Sequence, residues 1–183
     1  MIKSKGWDWK IVKDDIDCPW KILSVESYYL LNRWENLNFK NFLDLGCCLG
    51  RHTVLFAENG FNVSGFDISK EGIRKTKEWL KNLDLKADLK VGDMLELPYE
   101  NEFFDCILCR NVISHQDTEG VKQIIKELYR VLKNNGECYL TLGSKSTWGF
   151  KQDSWPLVDE NTRLRMEEGP EYKIPHFYAD YDL

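Results

Sequence analysis

From residue 42 to residue 142 the chain alternates short apolar runs with stretches of helical period, an order that few folds accommodate. Five runs read as strands: "FLDL" (42–45), "NVSGFD" (62–67), "ADLKV" (87–91), "FDCILC" (104–109) and "ECYLTL" (137–142). A helix is expected from about Arg51 to the Asn59-Gly60 stop, and another from the N-cap Ser69 through about Lys81. A third spans 118–133, where Val121, Ile124, Ile125, Leu128, Val131 and Leu132 share one face before "KNNGE" ends it. Ahead of the first strand, Leu23, Ser27, Leu30, Leu31 and Trp34 mark an amphipathic helix over 22–34. Strands that alternate with helices pair in parallel through right-handed crossovers, each burying an apolar helix stripe. The expected fold class is therefore α/β, a doubly wound and mostly parallel sheet. Ligands in such sheets sit beyond the carboxyl ends of the strands, where the winding reverses beside the first strand.

Length and charge narrow the function. A chain of 183 residues builds one core. A formal charge of −5 with both signs interspersed supplies no basic stripe for a phosphate backbone, so nucleic acid is not expected as substrate. No apolar run approaches the roughly 20 residues of a membrane span, and no hydrophobic segment follows "MIKSKGWDWK". A cytoplasmic protein without membrane partners is expected. Six cysteines are present, but strand alternation puts Cys106 and Cys109 on opposite faces, so they do not converge on a metal and read as buried thiols. No metal ligands are assigned.

The turn after the first strand, "DLGCCLGRHT", selects the ligand. A dinucleotide fingerprint starting at Gly46 would need glycines where Cys48 and Arg51 stand, and no G-K-[ST] follows to make a P-loop. What remains is Gly46-x-x-x-Gly50 with Asp67 ending the second strand and Asp93 following the third. These acids suit a nucleoside: Asp67 can accept both ribose hydroxyls and Asp93 an exocyclic adenine amine. Asp44 is placed for an amino group or the surroundings of a sulfonium. Three carboxylates around one cleft repel pyrophosphate and attract a cation.

At these motifs the chain resembles the class I S-adenosylmethionine-dependent methyltransferases of the type 11 kind. "LDLGCCLGRHT" is similar to the glycine-rich first motif, "GFDIS" to the ribose-binding acidic motif, "VGDMLELPYENEFFDCIL" to the adenine loop and fourth strand, and "LYRVLKNNGECYLTL" to the helix and fifth strand. The resemblance covers about 41–142 and implies a Rossmann-like sheet of order 3-2-1-4-5. It implies one cofactor-binding domain over 1–142 with an N-terminal lid helix, and 143–183 as a substrate-side or C-terminal segment of that domain. It further implies that Asp44, Gly46, Cys47 and Gly50 wrap the methionine portion of S-adenosylmethionine. Asp67 holds the ribose, with Ile68 also at the cofactor, Gly92, Asp93 and Met94 flank the adenine, and Arg110 lies on the pocket floor with Asn111. The implied product is S-adenosylhomocysteine.

Several residues stand outside that pattern. Cys48 replaces the middle glycine and is expected to avoid positive φ. His115 is the candidate general base or acceptor orienter, with a helix-start histidine as the plain alternative; His52 reads as structural or as a neighbour of the cofactor carboxylate. Tyr28, Tyr29, Arg33 and Trp20 are candidates for a lid or for core packing. Trp148, Trp155, His176 and Tyr178 are candidates for an aromatic acceptor pocket. The C-terminal antiparallel strand pair of the family is expected to be missing, so the chain reads as truncated. The tail or a second copy, as in a homodimer, then covers the fifth strand's edge. The expected function is methyl transfer to a small molecule; the alternative is a noncatalytic module of the same fold that binds the cofactor or its product.

Overall fold

The computed structural model describes residues 2–12 and 18–180. A single 3₁₀ turn, Pro19–Lys21, precedes α1 (Val25–Asn36), β1 (Asn41–Leu45), α2 (Arg51–Glu58), β2 (Asn62–Asp67), α3 (Lys70–Asn82), β3 (Asp88–Val91), β4 (Phe104–Cys109), α4 (Thr118–Val131) and β5 (Leu132–Leu140). The strands form a parallel sheet in the order β3-β2-β1-β4-β5, with the winding reversing at β1 as the alternation predicts. Among the described residues no helix is long and apolar enough to cross a membrane.

Strand alternation feeds two cores. On one face Phe42, Cys106 and Leu108 pack with Leu30 and Trp34 of α1 and Leu55 and Phe56 of α2. Phe42 and Phe56 stack with centroids 3.9 Å apart. On the other face Leu43, Leu45, Ile107 and Cys109 meet Val121, Ile124 and Leu128 of α4. Each such side chain, removed from water, contributes roughly 1.5–3 kcal/mol. Cys106 and Cys109 are free and buried on opposite faces, as expected from their spacing.

The starts of α3 and α4 carry side-chain caps. The Ser69 hydroxyl accepts the Gly72 N–H at 3.2 Å as predicted, and Asp117, a cap that was not predicted, accepts that of Gly120 at 2.8 Å. The end of α4 differs from the sequence reading. "KNNG" does not separate helix from strand; β5 starts at Leu132, and the register jumps from Phe104↔Leu132 to Cys106↔Glu137. The extra residues bulge out, with Asn135 at φ 65°.

Residues 143–183 also depart from expectation. Instead of lacking further strands, this segment adds β6 (Gly143–Ser144), β7 (Leu157–Asp159), β8 (Thr162–Leu164) and β9 (Pro175–Ala179) in a second sheet of order β6-β9-β8-β7. β7–β8 and β8–β9 are antiparallel, and Phe177 of β9 reaches the core beneath α4. These strands are two to five residues long. Strands of two or three residues, as three of these are, carry no readable alternation, and their order depends on contacts distant in sequence. None of them pairs with β5, which remains the edge of the larger sheet. Arg33 and Trp34 of α1 lie across that edge, both donating to the Glu137 carboxylate.

Candidate functional site

The carboxyl ends of β1, β2 and β4 open into a cleft that is partly open to solvent. Every residue assigned to the cofactor from the sequence lines it: Asp44, Gly46, Cys47, Asp67, Ile68, Gly92, Asp93, Met94 and Arg110, with Gly50 as the exception. Gly50 stands one position behind, as the N-cap of α2 at φ 90°. A Cβ there would meet Thr76 at 2.6 Å. Gly46, at φ 73°, likewise lies where a Cβ would strike Val112.

Cys48 corrects the sequence reading. It does not avoid the left-handed region but occupies it, at φ 53°. Local bonds hold it there: its N–H donates to Asp67 Oδ2 at 2.9 Å and its thiol to the Gly46 carbonyl at 3.1 Å. Burial and the nearby Asp67 and Asp44 carboxylates push the thiols of Cys47 and Cys48 well above the ordinary range, so both are protonated.

The acids are individually committed. Asp67 also accepts the Ser69 N–H at 2.7 Å, so each oxygen holds one backbone donor and retains a lone pair toward the cavity. Burial raises its pKa. Asp44, 2 % exposed, accepts the Thr53 hydroxyl at 2.7 Å, and burial lifts it to about 6. Asp93 accepts the Leu95 N–H through one oxygen. His52 Nδ1 lies 3.9 Å from Asp44; burial, then Arg51 and Arg110, hold this imidazole neutral with a pKa near 3.

Among the described residues, three buried polar atoms on residues lining the cavity have no hydrogen-bond partner: His52 Nε2, Arg110 Nε and Trp7 Nε1. Buried donors are rarely left unpaired in folded proteins. Carboxylates for hydroxyl and amino groups, orphan donors for a carboxylate, and apolar walls between them fit an amino-acid-bearing nucleoside.

The family follows from the same residues, since the methyltransferase-domain family matches residues 42–136. The chain belongs to the class I S-adenosylmethionine-dependent methyltransferases. This methyltransferase domain is similar to the PH0226 protein of Pyrococcus horikoshii, at 25% identity and TM-score 0.66 over 87% of this chain and 78% of that one. A S-adenosylmethionine-dependent methyltransferase of Methanosarcina mazei gives the same identity and TM-score over 78% and 74%. The demethylmenaquinone methyltransferase of Lactobacillus johnsonii is 29% identical, over 63% of this chain and 52% of its own length. The domain spans about half the length of the curated relatives it matches.

The roof of the cavity was only partly legible. Trp20 lines the cavity, but Tyr28, Tyr29 and Arg33 do not; α1 lies over the β5 edge and contributes no lining residue. The roof is instead residues 4–7 with Trp9. Trp7 stacks on Trp9 and meets Trp20 edge-on at 4.6 Å. Trp9 is the anchor, 2 % exposed and packed with Cys18 and Leu49. The strap is also tied to the C-terminal segment by Asp8 N–H to Pro170 O and by Lys5 Nζ to Tyr172 O. The signal was "GWDW", two tryptophans in an otherwise polar stretch.

His115 also lines the cavity, its centroid 6.0 Å from Trp7. Burial, then His176 and Arg165, lower its pKa to about 3. Trp148, Trp155, His176 and Tyr178 do not line the cavity. Trp155 and Tyr178 are buried, and Trp148 is exposed. His176 instead approaches His115, with centroids 4.9 Å apart.

Proposed function

We propose that this domain binds S-adenosylmethionine in the cavity and transfers its methyl group to a small-molecule acceptor entering beside His115. The observation that carries the reading is the convergence of Asp44, Asp67 and Asp93 with the partnerless His52, Arg110 and Trp7 atoms on one cleft. The free lone pairs of Asp67 take the ribose hydroxyls. Asp93 accepts from the adenine amine, flanked by Gly92, Met94 and Ile68. Asp44 and the Gly46–Cys47 turn hold the amino end, and Arg110 and His52 face the cofactor carboxylate.

When bound, the cofactor supplies an electrophilic methyl group. The acceptor's lone pair would take up that carbon as the carbon–sulfur bond broke, with S-adenosylhomocysteine as the leaving group. Positive charge on sulfur disappears along this path, so carboxylates near it stabilise the ground state and add affinity rather than rate. Rate comes from alignment: the acceptor must lie about 3 Å from the carbon, opposite sulfur. The tryptophan strap supports a small acceptor by roofing the cavity. His115, neutral at physiological pH, orients the acceptor or receives its proton.

The test is calorimetric titration with S-adenosylmethionine and S-adenosylhomocysteine, followed by transfer of a labelled methyl group into a metabolite extract. Binding with a labelled low-mass product is expected. No heat with either ligand overturns the reading; binding without product in any extract favours the noncatalytic module.

A further inference from the structure

We propose that His115, Glu171 and His176 form a site for a divalent transition-metal ion at the acceptor end of the cavity. The three residues come from the loop after β4, the segment before β9, and β9 itself. Their ligand atoms all lie within 4.8 Å of one another. The Nε2 atoms of His115 and His176 are each 3.9 Å from a different Glu171 oxygen. These separations are too long for hydrogen bonds. The 3.9 Å separations exceed by about 0.3–0.6 Å, and the widest separation in the cluster by up to about 1.5 Å, the ligand spacing of a tetrahedral zinc ion, whose bonds are roughly 2.0–2.2 Å. Small side-chain rotations close the difference.

Two further observations favour a ligand over a packing accident. His176 Nε2 is buried and has no hydrogen-bond partner among the described residues. The backbone also holds the cluster together: Phe177 N–H donates to Ser114 O at 2.8 Å, which locks the residues next to His176 and His115 against each other. Two imidazoles and one carboxylate are a donor set for zinc or iron(II), not for magnesium or calcium.

Arg165 opposes a cation, since its guanidinium contacts Glu171. It also holds Glu167 at 2.6 Å, a partner it keeps when an ion takes Glu171. Three protein ligands leave a coordination position open, and His115 borders the cavity on that side. The ion's role there rests on the methyl-transfer reading. It would bind a hydroxyl or thiol acceptor, whose proton leaves to solvent, and the resulting lone pair attacks the methyl carbon as the carbon–sulfur bond breaks. His115 then acts as a ligand to the ion that orients the acceptor.

The experiment titrates the chelator-treated, desalted chain with zinc by calorimetry and with cobalt(II) by visible absorption. One equivalent is expected, with a cobalt spectrum of nitrogen and oxygen ligands. His176→Gln is expected to weaken binding by about tenfold or more. Its S-adenosylmethionine affinity is expected to stay the same, because His176 does not line the cavity. If His176→Gln fails to fold by circular dichroism, Glu171→Gln serves as the second variant. No binding by the wild-type chain, or equal binding by a folded variant, overturns the site. A wild-type chain that binds zinc but not S-adenosylmethionine keeps the metal site and removes the methyl-transfer reading; the reverse removes only the metal.

Discussion

The backbone N–H of Cys48 donates to Asp67 Oδ2 at 2.9 Å, so the non-glycine residue of the turn is tied to the acid that ends β2. This bond links two motifs 19 residues apart and explains how a side chain is held at φ 53°. The turn already has the geometry that a glycine would give it.

Cys48→Gly therefore changes stability more than binding. Relief of the left-handed strain, offset by glycine's greater chain entropy, is expected to stabilise by about 0.5–1 kcal/mol. Cys48→Val, β-branched at positive φ, is expected to destabilise by about 2 kcal/mol. Thermal denaturation measures both. A several-fold gain in cofactor affinity in the glycine variant would contradict the view that the turn is preformed.

Asp67→Ala leaves the Cys48 and Ser69 N–H groups without their acceptor. A loss of about 1–3 kcal/mol in stability is expected for each donor that water does not reach. S-adenosylmethionine affinity should fall at least about tenfold, the size of one lost charge-assisted hydrogen bond. Unchanged affinity in calorimetry would place the ribose elsewhere.

Asp44 sets a pH dependence. Burial raises its pKa from 3.8 to about 6, so the folded chain binds this proton more tightly than the unfolded chain. The associated stability is fully present below the unfolded value and is lost as pH rises through about 6. The total is on the order of 3 kcal/mol. Asp44→Asn should lack this slope between pH 4 and 7 and be the more stable protein at pH 7, as urea denaturation would show. Cofactor affinity in the wild type should run the other way and rise through the same window, because a cationic ligand prefers the carboxylate.

Trp7 and Trp9 should separate roof from anchor. Trp9 is 2 % exposed, and Trp9→Ala is expected to cost about 3–5 kcal/mol. Trp7 is only partly buried and faces the cavity. Trp7→Ala should leave the melting temperature nearly unchanged and weaken S-adenosylmethionine about tenfold, as expected for an aromatic contact in a binding site. Equal effects of the two variants on stability would mean that the strap is one structural unit.

Local patterning carried the larger sheet. Apolar runs at strand period and stripes at helical period specify which face of each element is buried, and right-handed crossovers leave little freedom in how five such units assemble. The motif acids were legible for the same reason. Asp44 is the penultimate residue of β1, Asp67 ends β2 and Asp93 follows β3, so placing the strands places the carboxylates at one rim.

Contacts between distant segments decided the rest. The strap over the cavity, the second sheet and the approach of His176 to His115 join residues far apart in sequence and lack a repeating local pattern. Cys48 belongs to this group too: propensity argues against its backbone conformation, and a hydrogen bond to Asp67 supports it. The sequence by itself therefore determined the sheet and the acids at its rim, because their periodicity is local. What covers that rim, and which histidines meet beside it, was decided by long-range packing, whose energy depends on partners that no short window of sequence contains.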